Sequence, residues 1–409
     1  MKHLIIGNGI AGINAARAIR EMDAGAAIFM VSDETFPPYS RPMISYVLEG
    51  SEPHAKLPLF AGNVYESLNI TPVLGHRVAH LDVGARSVRL ENGTEIDFQR
   101  LLIASGADAR QIRVPGADLG NIFTLRTQKD VQDQLKAVSR GVKSALVLGG
   151  GLVGFKAAHA LLKRKIKVTM LITSAYPLAM QVDETAGKMI LAELQAHGLS
   201  VKVGVSVTAF DGDDTVRNAR LDSGETLDCD LVIVGKGVDP SLGFIPENGI
   251  EMATGILVDP YLCSNIPEIY AAGDTAETYD IARQTRWVNA IWPEAAVQGR
   301  IAGFNMAGRK VACPGSLGRN VMRIYGLDVM TMGLANPDNT DDLEIIQAGH
   351  EKAGAYRRLV FRGDILVGAV LINQIEQGGM LRAMIENRVS VRIPGRYLMS
   401  LDFNYSRLL

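Results

Sequence analysis

Leu4-Ile5-Ile6-Gly7-Asn8-Gly9-Ile10-Ala11-Gly12 opens the chain with a short apolar run and three closely spaced glycines, and an alanine-rich stretch follows to about Glu21. The run reads as a buried strand and the stretch as an amphipathic helix. A second apolar strand, Ala27 to Val31, ends in Ser32-Asp33-Glu34. This order is a βαβ unit with a glycine-rich first turn. In such a turn Gly7 permits the tight bend, Gly9 lets the backbone approach a pyrophosphate, and Gly12 allows close packing of helix on sheet. The free amides of the helix N-terminus then face the diphosphate. Glycines also serve plain turns. Asp33 and Glu34, some 20 residues beyond Gly12, strengthen the functional reading, because a carboxylate there can accept hydrogen bonds from an adenosine ribose.

The same order returns at Ala145-Leu146-Val147-Leu148, with Gly149-Gly150-Gly151-Leu152-Val153-Gly154, a helix to about Arg164 and the strand Val168 to Ile172. Two such starts about 142 residues apart in a chain of 409 match the size of a domain. The second strand ends in Ile172-Thr173-Ser174, which offers neither an acid for a free 2'-hydroxyl nor an arginine for a 2'-phosphate. The choice between NAD(H) and NADP(H) therefore stays open, as does a second fold kept for packing alone. Between the two units, Val88 to Phe98 reads as a hairpin around Glu91-Asn92-Gly93, followed by the apolar run Leu101-Leu102-Ile103. Further on come a helix over Glu184 to His197, a strand over Leu231 to Val234, and Ile269 to Asp274, read as a strand followed by a helix start. From about Leu317 the texture changes to a hairpin over Arg357 to Ile372 and a helix near Gly379 to Asn387, a separate α+β domain.

Composition narrows the function classes. Lys+Arg 42 against Asp+Glu 44 removes the electrostatic footprint of nucleic-acid binding or of a polybasic membrane anchor. Cys229, Cys263 and Cys313 make no disulfide framework, zinc site or Cys-x-x-Cys pair, and scattered thiols suit a reducing compartment. No apolar run approaches the roughly 18 residues of a membrane span, and glycines interrupt the apolar start before it could serve as a signal peptide. A soluble, cytoplasmic protein is expected. The seven histidines form no recognisable triad or metal cluster, so no metal is expected. Lys163-Arg164-Lys165 reads as the basic end of a helix, explained by the helix dipole.

The two glycine turns, the run Leu101 to Ala107, and Val258-Asp259 through Gly273-Asp274 resemble, in this order over about residues 1 to 310, the FAD-dependent pyridine nucleotide oxidoreductases. The resemblance implies an α/β fold of glutathione-reductase-like architecture, with two Rossmann-like dinucleotide-binding domains and a C-terminal α+β interface domain. The FAD-binding domain would take residues 1–112 and 241–312, the NAD(P)-binding domain 113–240 and the interface domain 317–409. It also implies that Gly7, Gly9, Ala11 and Gly12 hold the FAD diphosphate, with Ala104 and Gly106 close by. Gly273 and Asp274 would hold the flavin ribityl chain, although Asp274 could be a plain helix N-cap. Gly149, Gly151, Leu152, Val153 and Gly154, with Ile172 and Gly235, would bind NAD(P)H. Val78 would make a backbone contact to adenine, and Arg126 would lie near the flavin.

The branch within the family follows from what is missing. The disulfide reductases and peroxidases of this fold place a cysteine near the flavin in the first 60 or so residues. Here that stretch reads Pro38-Tyr39-Ser40-Arg41-Pro42-Met43-Ile44-Ser45-Tyr46, without a thiol. Its Tyr-x-Arg-Pro run is similar to the rubredoxin and ferredoxin reductases and to the flavoprotein part of nitrite reductase, which implies that Arg41 and Pro42 approach the FAD. Trp292, Ala295, Gln298 and Gly299 repeat a ferredoxin-reductase pattern that implies a tryptophan beside nicotinamide and flavin, although a buried tryptophan more often belongs to a core. Many relatives pair an early lysine with a glutamate on the second helix. This chain has Tyr46 and Lys156 at those positions. The expectation is that the cation has changed sides and that Lys156 supplies positive charge where an anion develops. A lysine on a solvated helix face is the alternative.

The function expected is hydride transfer between nicotinamide C4 and flavin N5. Electrons would then pass to a ferredoxin, a rubredoxin or another iron–sulfur partner, in a homodimer or a larger complex. An NAD(P)H oxidase or quinone reductase is a second enzyme reading. A flavin-binding electron-transfer subunit without nicotinamide turnover is a third, favoured by the missing acid after Ile172.

Overall fold

Four helices position the residues of interest: α1 (Ile10–Met22), α2 (Ile44–Glu49), α3 (Leu152–Lys163) and α4 (Trp292–Met306). The structure, a computed structural model, describes residues 1–247, 249–350, 354–392 and 395–400. The chain divides into two interleaved units. One comprises Met1–Pro42, Ala55–Asp108 and Asp239–Gly318, and the other Met43–His54, Ala109–Val238 and Arg319–Leu409.

In the first unit a parallel sheet runs in the order Ile269–Ala271, Arg100–Ile103, Lys2–Ile6, Ala27–Ser32, Ile70–Leu74. Its central strands are nearly continuous apolar runs, as strands covered on both faces must be, and Leu4, Ile5, Leu101 and Leu102 are fully buried. Helix α1 buries Ile13, Ala15, Ala16 and Ile19. Small residues let α4 lie backbone to backbone against α1. A Cβ on Gly299 would fall 2.1 Å from the Ala11 carbonyl oxygen, and one on Gly303 2.4 Å from that of Ala15.

The second unit contains a parallel sheet in the order Ser200–Val203, Lys167–Ile172, Ser144–Leu148, Leu231–Val234, Ile122–Thr124. Four strands around each glycine turn follow one order, whereas the fifth differs: Ile269–Ala271 comes last in the first sheet, and Ile122–Thr124 precedes the glycine turn in the second. The sequence duplication is therefore a duplication of four strands. The same unit holds a five-stranded antiparallel sheet from Arg319–Ile324 to Ile365–Ile372, including the hairpin turned at Gly363.

Two expectations change. The segment after Ile269–Ala271 does not begin an α-helix: Gly273–Thr275 is a single 3-10 turn, capped from Ala272, and Ala276–Asp280 continues as a strand. The turn is held to the sheet, since the Thr275 hydroxyl donates to the Ile103 carbonyl at 3.0 Å, and Asp274 is not an N-cap. Secondly, Arg164 does more than complement a helix dipole. Its guanidinium reaches from the end of α3 to the C-terminal carbonyls of α2, donating to Leu48 and, at 3.4 Å, to Val47. That tether helps bind α2 to the second unit.

Among the described residues no helix is long and apolar enough to cross a membrane.

Candidate dinucleotide sites and a lysine–tyrosine cleft

The first glycine turn has one open side and two closed ones. Gly7 has φ +107°, and a Cβ there would meet the Ala104 carbonyl oxygen at 2.1 Å; one on Gly12 would meet the Gly7 oxygen at 2.0 Å. Around Gly9, by contrast, nothing lies within 4 Å of the added carbon. The free space is where the N-terminus of α1 points, and no side chain caps that end. Gly7, Asp33 and Val78 line one cleft, together with Ser105, which stands between Ala104 and Gly106. The sequence overlooked Asn8. Its buried amide donates to the Phe36 carbonyl at 2.9 Å and to the Tyr65 hydroxyl at 3.0 Å, and it accepts from Ser32, fixing the loop that carries the acids. A polar residue inside a glycine turn was the available signal.

The structure separates the two acids that the sequence treated together. Asp33 is exposed at the cleft. Glu34 pairs with Arg41 and accepts from the Tyr39 hydroxyl at 2.8 Å. Burial opposes the charge on Arg41, but the neighbouring Tyr39 and Glu34 outweigh it and raise the guanidinium above its usual pKa. Glu34 thus fixes a cation, while Asp33 keeps the position suited to a ribose.

At the far edge of the same sheet, the Gly273 amide donates to the buried Gln298 Oε1 at 2.8 Å. A Cβ on Gly273 would rest 3.3 Å from that of Ala295 and 3.4 Å from that of Ala11. The turn carrying Asp274 is thereby fixed to the first turn of α1 and to α4. Gln298 and Ala295 are positioning residues, and their spacing after Trp292 follows from a helix lying against that turn. Trp292 itself is half-buried as the first residue of α4.

The second turn repeats the first. Gly149 has φ +114°, with its added Cβ 2.3 Å from the Gly235 oxygen, and Gly154 would meet the Gly149 oxygen at 2.0 Å; Gly151 faces open space. Gly150 lies against Ile172, where a Cβ would come within 2.8 Å. Leu152 and Val153 begin α3. Arg126 lies in the same unit just before a helix, its amide bound to Asp130 at 2.8 Å.

Lys156 and Tyr46 meet in this unit. The Lys156 ammonium stands 5.7 Å from the centre of the Tyr46 ring, in a cleft of about 810 Å³ bounded by α2, α3 and the strand Arg319–Ile324. Burial lowers the pKa of Lys156. It also lowers that of His159, one turn on, against the opposing pull of Glu49, whose carboxylate is 4.0 Å from its Nε2. The Lys156 side chain is half-buried in a concave site.

The cysteines stand apart from both clefts. Burial pushes the Cys229 thiol up to about 12 and raises those of Cys263 and Cys313 as well. Among the described residues, no group of His, Cys, Asp and Glu could hold a metal ion.

Comparison with known proteins agrees with this geometry. Residues 1–297 match the pyridine nucleotide-disulphide oxidoreductase family, and residues 319–389 match the rubredoxin NAD+ reductase C-terminal domain. Nitrite reductase [NAD(P)H] of Bacillus subtilis is 30% identical over 95% of the chain, which spans 47% of that longer protein. Rubredoxin-NAD(+) reductase of Pseudomonas putida is 30% identical over 77% of the chain and 82% of its own length. A ferredoxin reductase from Rhodopseudomonas palustris shares the fold with a TM-score of 0.88 at 24% identity, covering 99% of both chains. With two matching glycine turns, a shared order of the four strands around them and a family match over most of its length, the chain belongs to the pyridine nucleotide-disulphide oxidoreductases.

Proposed function

We propose that the protein is an FAD-dependent NAD(P)H oxidoreductase that exchanges electrons with a ferredoxin, a rubredoxin or another small iron–sulfur protein. The observation that carries the reading is the repeated turn: twice, two glycines are closed against carbonyl oxygens while a third faces open space beside an uncapped helix N-terminus. A diphosphate fits such a cradle, because unpaired amides and the helix dipole favour an anion where no side chain intrudes. An acid at the strand end accompanies the first turn alone, which suits the first to the adenosine of FAD and leaves NADH against NADPH to be decided at Thr173 and Ser174.

When bound, the flavin accepts hydride at N5 from nicotinamide C4 and can release the electrons singly, which the nicotinamide cannot. The protein's part is alignment and electrostatics. Gly7, Gly9, Ala11 and Gly12 seat the FAD diphosphate, Asp33 accepts from the ribose, and Val78, Ala104 and Gly106 complete the wall. Arg41, held by Glu34 and followed by Pro42, presents a fixed cation to the cofactor. Asp274, on the turn held by Gln298, binds the ribityl hydroxyls, and Trp292 covers the ring system, with Arg126 nearby. Gly149, Gly151, Leu152, Val153 and Gly154, with Ile172 and Gly235, take the nicotinamide nucleotide. Lys156, oriented by Tyr46, holds positive charge where reduction leaves negative charge.

The FAD-binding domain is assigned to about 1–112 and 241–312, the NAD(P)-binding domain to 113–240 and the interface domain to 317–409. The three raised thiols suit work without a sulfur relay in a reducing cytoplasm. An anaerobic titration of the purified protein with NADH and then NADPH, followed through the flavin band, tests the proposal. Bleaching by one nucleotide is expected. Colourless protein that cannot be reconstituted with FAD would overturn the reading.

A further inference from the structure

The strand Lys167–Ile172 ends beside the second glycine turn, and the loop that leaves it, residues 173–182, returns to that turn: the Leu178 amide donates to the Gly150 carbonyl at 2.9 Å. A strand end in this position holds the adenosine ribose of a dinucleotide, so the loop walls the adenosine half of the site. It carries no charged side chain. With neither a carboxylate for the ribose nor a cation for a 2'-phosphate, recognition falls to hydroxyls and backbone groups, whose hydrogen bonds depend steeply on position.

The loop is strained and braced from outside. Leu178 stands at φ +57°, a left-handed conformation that a leucine keeps only where its surroundings impose it. Much of the bracing comes from the C-terminal antiparallel sheet. Asn336, just after the strand Leu327–Gly333, donates its amide to the Ala179 carbonyl at 2.9 Å. Tyr356, buried on the strand Ala355–Arg362, donates its hydroxyl to Asp183 Oδ2 at 2.7 Å, and Arg358 from the same strand lies 3.8 Å from that oxygen. Asp183 closes the loop and caps the helix Glu184–Ala196 by accepting from the Thr185 amide at 3.3 Å. Burial and then Asp183 raise the Tyr356 hydroxyl above its usual pKa, so it remains a donor at neutral pH. On the helix side the Tyr176 ring is pressed onto Gly187, where a Cβ would fall 2.2 Å from it.

We propose that Tyr356 and Asn336 are positioning residues for the adenosine half of the nicotinamide nucleotide, acting through the uncharged loop that follows Ile172. The C-terminal segment thereby sets the affinity for a nucleotide that it does not itself touch. The inference rests on the reading of the second glycine turn as the nucleotide site.

Isothermal titration of the purified full-length protein with ADP-ribose, which has the adenosine and diphosphate without the nicotinamide, tests it. Tyr356→Phe and Asn336→Ala should each weaken ADP-ribose about two- to tenfold, the effect of one hydrogen bond. Arg362→Ala, which cuts an ion pair with Asp342 elsewhere in the same unit, should bind as the parent does. In anaerobic stopped flow, the two loop variants should need correspondingly more NADH to reach an unchanged limiting rate of flavin bleaching. Their response to reduced nicotinamide mononucleotide, which lacks the adenosine, should match the parent's. Undiminished ADP-ribose binding in both variants, an equal loss in Arg362→Ala, a lowered limiting rate, or an equal loss toward the mononucleotide would each overturn the proposal. Parent protein that takes no ADP-ribose would overturn the nucleotide reading and this inference together. Colourless protein would overturn the flavin reading alone, since the heat of ADP-ribose binding is measured without it.

Discussion

The ammonium of Lys156 lies over the ring of Tyr46, 5.7 Å from its centre. The cation sits on α3, the helix that follows the second glycine turn, and an aromatic face meets it from α2. The ring keeps the ammonium oriented without neutralising it, since a cation–π contact adds no opposite charge.

Removing that cation should slow reduction by the nicotinamide nucleotide. Lys156→Met is expected to lower the rate about tenfold, the effect of losing about 1.4 kcal/mol of stabilisation, with Lys156→Arg largely restoring it. Anaerobic stopped-flow traces of the flavin band measure both. An unchanged rate in Lys156→Met would remove Lys156 from the reaction.

Gly9 and Gly12 make a contrasting pair. A methyl on Gly12 collides with the Gly7 carbonyl at 2.0 Å, whereas one on Gly9 meets nothing. Gly12→Ala should therefore destabilise the protein by about 1–3 kcal/mol or more. Gly9→Ala should melt close to the parent yet carry little FAD, because its methyl fills the diphosphate space. Thermal unfolding together with the FAD content of each purified variant decides the matter.

Thiol reagents should leave the enzyme working. The raised pKa values keep the three cysteines protonated at neutral pH, and neither cleft contains one. Treatment with N-ethylmaleimide at pH 7 is expected to spare NADH-dependent activity, and Cys229 should react only on unfolding. Loss of activity in proportion to labelling would contradict this.

His3 gives the first unit an acid sensitivity. Burial, reinforced by Arg100, lowers its pKa from 6.5 to about 4 in the folded protein. Between those values the unfolded chain binds the extra proton, so stability should rise with pH from about 4 to 6.5 and be flat above for this group. The full drop is worth about 3 kcal/mol as an upper limit. Chemical denaturation at pH 4.5 and 7, with His3 and with His3→Gln, measures the difference; a slope that persists undiminished in the variant would assign it elsewhere.

Much of the fold was legible because glycine and strand patterns are local. Both βαβ starts, the hairpin after Val88 and the hairpin at Gly363 lie where apolar runs and turn residues put them. The turn at Asp274 was misread, since a Gly-Asp after a strand signals a helix start equally well, and a long-range contact from Gln298 decides against it. The division of labour between Asp33 and Glu34 was hidden for a similar reason. It depends on Tyr39 and Arg41 folding back, which no spacing rule encodes. His159 escaped notice because a lone histidine on an α-helix carries no signal until the opposite wall is known.

The path of the chain has a consequence for how the molecule can be made and cut. The backbone passes from one unit to the other at residues 42/43, 54/55, 108/109, 238/239 and 318/319. Neither unit is a contiguous stretch, so a truncation anywhere between residues 43 and 300 takes strands or helices from both. On the ribosome, the amino-terminal sheet must wait for its last strand, Ile269–Ala271, and for α4 before its core can close. The amino-terminal sheet should remain sensitive to protease until α4 has been synthesised, and fragments cut before that helix should need their complement to fold.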